Sequence, residues 1–258
     1  MMRLLPWNIV GLLAFVLGAT AAQAVEFPDT ISKVKPSIVA IGTYQKTRNP
    51  PFLFRGTGFV IGDGTIIATN AHVLPEKMAT EAGEMLVYLA ATADAQHGQG
   101  REAKLLAADP EHDLALLKFA GSPLPALELG DSSTVREGQM LGFTGFPLET
   151  RLGLTPVTHR GMVSALTPFV LPKTSAKQLD AKAIQRLKAG PFVVFQLDGT
   201  AYPGNSGSPV YEPATGRVVA IINAVFVRGS REDVLSQPTG ISYAIPVQYL
   251  QALLAQGH

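Results

Sequence analysis

Residues 201–210 read AYPGNSGSPV. Ser206 sits there between Asn205 and Gly207, with Pro203 and Gly204 just upstream. Taken alone, the string is what any tight turn uses, because Gly, Asn, Ser and Pro each suit turn backbone for a separate physical reason. The other reading makes Ser206 a nucleophile beneath backbone N–H donors. A serine that attacks a carbonyl needs a base to take its proton, an acid to orient that base, and donors aimed at the developing oxyanion. Whether the chain supplies these parts decides both the fold and the function.

The bulk composition narrows the field. The chain has 258 residues, 47% hydrophobic and 16% charged, enough for a large core in one two-lobed all-β unit or in two small domains. Its 25 glycines and 19 prolines are spread along the chain and suit short strands joined by turns. With 21 basic and 20 acidic residues it carries no electrostatic footprint for nucleic acid. There is no cysteine, which excludes a thiol nucleophile, a thiolate metal site and disulfides. No histidine or carboxylate pair has metal-motif spacing, so neither metal nor cofactor is expected.

The first 24 residues differ from the rest. Arg3 precedes the apolar run IVGLLAFVLGA, and AAQA leads into Val25. This is the pattern of a secretory signal peptide cut after Ala24, placing the protein in the periplasm or outside the cell. The alternative is an uncleaved anchor spanning Leu4 to Val25, and membrane association is expected only in that case.

Along the mature chain, apolar and β-branched runs recur between turn residues. They fall at 37–43, 56–62, 64–70, 84–90, 114–120, 139–146, 161–166, 191–197, 217–227 and 240–246. Short strands with Gly and Pro punctuation favour a barrel or sandwich over a βαβ sheet. GSPLPALELGDSS (121–133) lies where two halves would join. Two segments read as helices. One runs from Ser175 to about Lys188, with Leu179, Ile184 and Leu187 on one face and Gly190-Pro191 ending it. The other is PVQYLQALLAQ (246–256), opened by Pro246.

Of five histidines, His72 stands directly after the run GTIIAT, in TNAHV, and Asp113 heads the run DLALLK. Each has a plain reading as a strand-end or turn residue. Together with Ser206 they supply base, acid and nucleophile, in the order His–Asp–Ser. His112, beside Asp113, reads as a solvated turn residue, and His159 as a structural residue near a barrel rim.

TNAHV, DLALLK and PGNSGSP resemble the three catalytic signatures of trypsin-like serine proteases, in particular the bacterial HtrA/Deg branch. GTGFVI, LGDSSTVREGQMLGFTGFP, VSAL, QLDGTAYPGNSGSPV and GISYAIP resemble further landmarks of that branch in the same order, so the likeness runs from about Ile31 to Leu250. It implies an all-β fold of two six-stranded antiparallel β-barrels, with a C-terminal helix (246–256) and a short helical insertion. The first barrel would occupy about 31–123 and the second about 134–246, within a protease domain of 25–258. His72 would be the general base, Asp113 its orienting acid and Ser206 the nucleophile, and the N–H groups of Gly204 and Ser206 would form the oxyanion hole.

The departures from the wider family are informative. Asn205 stands where digestive proteases carry an aspartate that pairs with a newly cut N-terminus, so activation of that kind is not expected. Thr200 lies where a carboxylate would select Lys or Arg, and a small or medium apolar P1 residue is expected instead. Thr200, Ala201, Asn223, Ala224 and Val225 are the candidate substrate-binding residues, with 223–225 pairing the substrate backbone as an edge strand. The chain stops twelve residues after Pro246, so the PDZ module common in Deg proteins is not expected. Polypeptides are the expected partners. The function implied is an exported endopeptidase acting on unfolded or extended chains, and the alternative is a protease-fold binding protein whose oxyanion loop rests out of position. An α/β-hydrolase is excluded, because residue 208 is Ser rather than Gly and only the terminal His258 follows the serine.

Overall fold

The computed structural model describes residues 26–90, 100–147, 155–169, 192–224 and 240–256. The signal segment, the insertion helix at 175–188 and Val225 lie outside the described residues.

Among the described residues twelve strands close into two antiparallel barrels, the architecture the resemblance implies. The first barrel contains β1 (Ile38–Tyr44), β2 (Phe52–Ile61), β3 (Ile66–Thr69), β4 (Met85–Ala90), β5 (Arg101–Asp109) and β6 (Leu114–Phe119), in the order β1-β2-β3-β6-β5-β4. The second contains β7 (Met140–Gly145), β8 (Val157–Phe169), β9 (Phe192–Asp198), β10 (Pro209–Tyr211), β11 (Val218–Asn223) and β12 (Ile241–Pro246), in the order β10-β11-β12-β9-β8-β7. Helix α1 (Phe27–Val34) precedes the first barrel, and α2 (Val247–Gln256) follows the second.

Two of these strands escape the sequence pattern. The β5 sequence REAKLLAAD is largely exposed, with Ala103 its one fully buried residue, so it lacks the apolar alternation that marks a half-buried strand. Two of the three residues of β10, Pro209 and Val210, fall inside the serine loop's own turn-like string. Helix α1 was not anticipated either. Its Phe27 ring lies 6.3 Å from Tyr211 and its Val34 is buried, so the helix is fastened by packing rather than by propensity.

The core has three parts. Val39, Ile41, Val60, Ile67, Tyr88 and Leu117 fill the first barrel. Leu141, Phe143, Val163, Leu197, Val219 and Ile222 fill the second. A third cluster joins Ile38, Phe59, Leu114 and Leu116 to Tyr211, Ile221 and Ile245, and Leu250 and Leu253 of α2 complete it. This is the seam between the barrels. Residues 38–41 alternate between barrel interior and seam, so β1 is buried on both faces and reads as a continuous apolar run. Each fully buried Ile or Val among them contributes about 1.5–3 kcal/mol relative to exposure. No helix among the described residues is long and apolar enough to cross a membrane.

Candidate active site

His72 lies in a single 3₁₀ turn (Ala71–Val73) that starts one residue after β3. Asp113 occupies the last position before β6, with φ of 54°. That left-handed conformation is unfavourable for most side chains, and Asp is among the few that tolerate it. It turns the carbonyl back, where it accepts from the Ala71 N–H at 3.1 Å and from Asn70 Nδ2 at 3.0 Å. The strained residue is therefore tied to the turn that carries His72.

The two side chains meet. His72 Nδ1 is 2.5 Å from Asp113 Oδ2, and the His72 backbone N–H donates to Asp113 Oδ1 at 2.8 Å. Asn223 Nδ2 adds a third donor, 2.6 Å from Oδ2. In a neutral imidazole whose Nδ1–H is given to Oδ2, Nε2 is the acceptor nitrogen. The carboxylate is mostly enclosed and the imidazole more open, with side-chain exposures of 13% and 30%. Downstream, Arg55 donates to the carbonyls of Val73 and Leu74 at 2.6 and 3.1 Å, pinning the chain just past the histidine.

Ser206 lies on the turn between β9 and β10 of the second barrel and is nearly buried. The turn is stitched by Asn205 N–H to Tyr202 C=O and Ser208 N–H to Asn205 C=O, at 3.0 and 2.9 Å. It joins β11 through Gly207 N–H to Ile222 C=O at 3.0 Å, one residue before Asn223. It joins the first barrel through Thr57 N–H to Ser206 C=O at 2.9 Å. A Cβ on Gly56 would fall 2.7 Å from Val73 and 3.1 Å from the Ser206 carbonyl, so only a glycine lets the histidine turn and the serine turn approach this closely. Gly204 has φ of 99°, and a Cβ there would lie 2.3 Å from the Phe146 carbonyl, so glycine is required. Among the described residues the N–H groups of Gly204 and Ser206 have no hydrogen-bond partner.

The other expected site residues divide. Thr200 is half-buried, whereas Ala201 is buried in the second barrel's interior and donates its N–H to Ser242 Oγ at 2.6 Å. Asn223 pairs with Tyr243 of β12, and its side chain serves Asp113, a role the sequence did not suggest. Ala224, half-buried, follows directly. His112 is not solvated. Its Nδ1 is 2.6 Å from Asp109 Oδ2 and its ring stacks on Tyr249 of α2 at 4.1 Å. Burial pushes the Asp109 carboxyl up, but its hydrogen bonds, led by that from His112, outweigh this and hold it below the ordinary value. His159 stacks on Phe143 at 4.9 Å, and burial lowers its pKa. Among the described residues no group of three or more His, Cys, Asp or Glu is placed to hold a metal. Sequence reasoning missed Asn70, Arg55 and Thr57. Their only local signal is their place beside the histidine and serine motifs or in the preceding strand.

Two closed six-stranded barrels, with a His–Asp pair carried by one and a serine turn by the other, define the trypsin-like fold. The pattern of the trypsin-like peptidase domain matches residues 56–221, well over half of the chain. The chain belongs to the trypsin-like peptidase family. A probable periplasmic serine endoprotease DegP-like from Pseudomonas fluorescens is 30% identical over 90% of this chain and 50% of its own length. A protein of the same description from Halomonas elongata is 28% identical over 93% of this chain and 51% of its own. The chain thus spans about half the length of the curated relatives it matches. In fold it resembles the HtrA-type protease AlgW, solved with a tripeptide, with a TM-score of 0.62 and 23% identity over 89% of this chain and 62% of that one.

Proposed function

We propose that this protein is an exported serine endopeptidase that hydrolyses peptide bonds in unfolded or extended polypeptides. The observation that carries the reading is the Asp113 carboxylate, which takes the His72 ring, the His72 N–H and the Asn223 amide at 2.5–2.8 Å. Such a cluster fixes the imidazole's tautomer and stabilises its protonated form.

Ser206 Oγ attacks the scissile carbonyl and passes its proton to His72 Nε2. The carbonyl oxygen becomes an oxyanion received by the Gly204 and Ser206 N–H groups. His72 returns the proton to the leaving amine, and water then hydrolyses the acyl-enzyme by the same route. Thr200 and Ala224 frame the P1 site and Ala201 backs it from the barrel interior, for small or medium apolar side chains, and the backbone of Asn223 and Ala224 aligns the substrate. Relatives named as periplasmic enzymes and the signal-like segment cut after Ala24 support an exported site of action.

A second reading, a protease-fold binding protein, draws on one observation. The Ser206 hydroxyl makes no hydrogen bond among the described residues. Such bonds are often open in unliganded sites and close with substrate. A fluorophosphonate probe and casein separate the two readings. Endopeptidase activity requires labelling and casein cleavage in the wild type, and loss of both in Ser206→Ala and His72→Ala. An unlabelled wild type that leaves casein intact establishes the binding protein.

A further inference from the structure

Thr57, in β2 of the first barrel, is fully buried yet makes hydrogen bonds to two parts of the other barrel. Its Oγ1 is 2.7 Å from the Gly204 carbonyl oxygen and 3.0 Å from the Phe146 backbone nitrogen. The bond directions are forced. A backbone N–H can only donate and a carbonyl can only accept, so the hydroxyl accepts a hydrogen bond from the Phe146 N–H and donates one to the Gly204 carbonyl. Its backbone N–H donates to Ser206 C=O at 2.9 Å, and its carbonyl accepts from Thr69 Oγ1 at 2.7 Å. One residue thus grips the carbonyls of both residues whose N–H groups are the candidate oxyanion donors.

We propose that Thr57 is a positioning residue for oxyanion binding, its hydroxyl holding the 204–205 peptide across the barrel seam so that the Gly204 and Ser206 N–H groups converge on one point. This rests on the serine-peptidase reading above. The peptide plane between residues 204 and 205 lies between the two donors, so holding its carbonyl limits how far either donor swings. Phe146 serves from both of its ends. Its N–H anchors the hydroxyl, and its carbonyl oxygen lies within 2.3 Å of where a Cβ on Gly204 would fall. Preorganised donors need no reorientation as charge develops, and that is the source of their effect on rate.

The test uses Thr57→Val, which keeps the shape and removes the hydroxyl, and Thr57→Ser, which restores it. Rates are measured on a peptide substrate per active site titrated with the fluorophosphonate, with melting temperatures alongside. The expected result for Thr57→Val is a fall in kcat of about 10–100-fold with KM changed less than about threefold, since misaimed donors weaken transition-state binding rather than substrate binding. Thr57→Ser should return kcat to within about threefold of wild type. Should the valine variant not fold, Thr57→Ala set against Thr57→Ser carries the same comparison. A purely structural role would lower the melting temperature and the titrated fraction while leaving kcat per site within about twofold, and that result overturns the inference. A serine variant no better than valine does so too. Hydrolysis that survives Ser206→Ala would overturn the peptidase reading itself and this inference with it, whereas loss in Ser206→Ala beside an unaffected Thr57→Val would overturn Thr57's role alone.

Discussion

Replacing Asp113 by asparagine keeps the shape of the residue while removing its charge and one acceptor. In the native site Oδ1 accepts from the His72 backbone N–H, and Oδ2 faces both His72 Nδ1 and Asn223 Nδ2. A carboxamide has a single oxygen for these three donors. Placed at Oδ2, that oxygen leaves the amide NH₂ against the His72 N–H. Placed at Oδ1, it sets NH₂ against Asn223 and forces Nδ1 to accept, which moves the ring proton to Nε2 and abolishes the base. Neither orientation offers a negative charge to the imidazolium. With charge centres roughly 4 Å apart and an effective dielectric of about 20, that pair is worth about 4 kcal/mol, or about three orders of magnitude in rate. The tautomer shift adds up to about tenfold, giving an expected fall in kcat of about 10³–10⁴-fold. The assay is peptide cleavage per titrated active site, with ¹⁵N imidazole shifts reporting the tautomer. The variant should still fold, since two of the three contacts survive in either orientation. A variant that folds and keeps kcat within tenfold of wild type would refute the assignment of Asp113.

Asn223→Ala removes one charge-assisted bond from Oδ2 and should lower kcat by about 10–100-fold in the same assay, since such bonds are worth about 1.5–3 kcal/mol. Gly204→Ala puts a Cβ 2.3 Å from the Phe146 carbonyl at φ of 99°. The turn must shift, and kcat should fall by more than about 100-fold while the melting temperature changes by only a few degrees, as calorimetry would show. For His159, burial lowers the pKa, so on acidification the unfolded chain takes up a proton that the folded chain resists. Stability contributed by this residue is complete above about pH 6.5, falls as pH drops from there to the folded-state pKa, and then levels off. Melting temperatures between pH 7.5 and 5 should accordingly show a shallower decline in His159→Phe than in wild type, and parallel curves would rule this out.

Much of the architecture is legible in the chain because strands buried on one or two faces leave an apolar mark. β1, β2, β6 and β11 are recognisable for that reason. β5 is not, because its role is to close the barrel from the solvent side, and backbone pairing to β6 places few demands on its side chains. His112 misleads in the opposite sense. In sequence it is a polar residue in a turn, and only the docking of α2 brings Tyr249 over its ring.

The chain alone carries the order of the His, Asp and Ser motifs, their resemblance to the trypsin-like signatures, and the glycine at 204 that the serine turn demands. These are properties of short segments, written in local backbone preference and in the spacing of apolar residues. Which polar groups meet depends on how the two barrels close and pack. Asn223 reaches Asp113 across 110 residues of chain, and the Thr57 hydroxyl reaches Gly204 across 147. The string AYPGNSGSPV contains the serine and the candidate donors, but the groups that hold them in place arrive from strands β2 and β11. Hydrogen bonds of this kind depend on barrel closure and on the packing of the seam between barrels, which no local pattern of residues encodes.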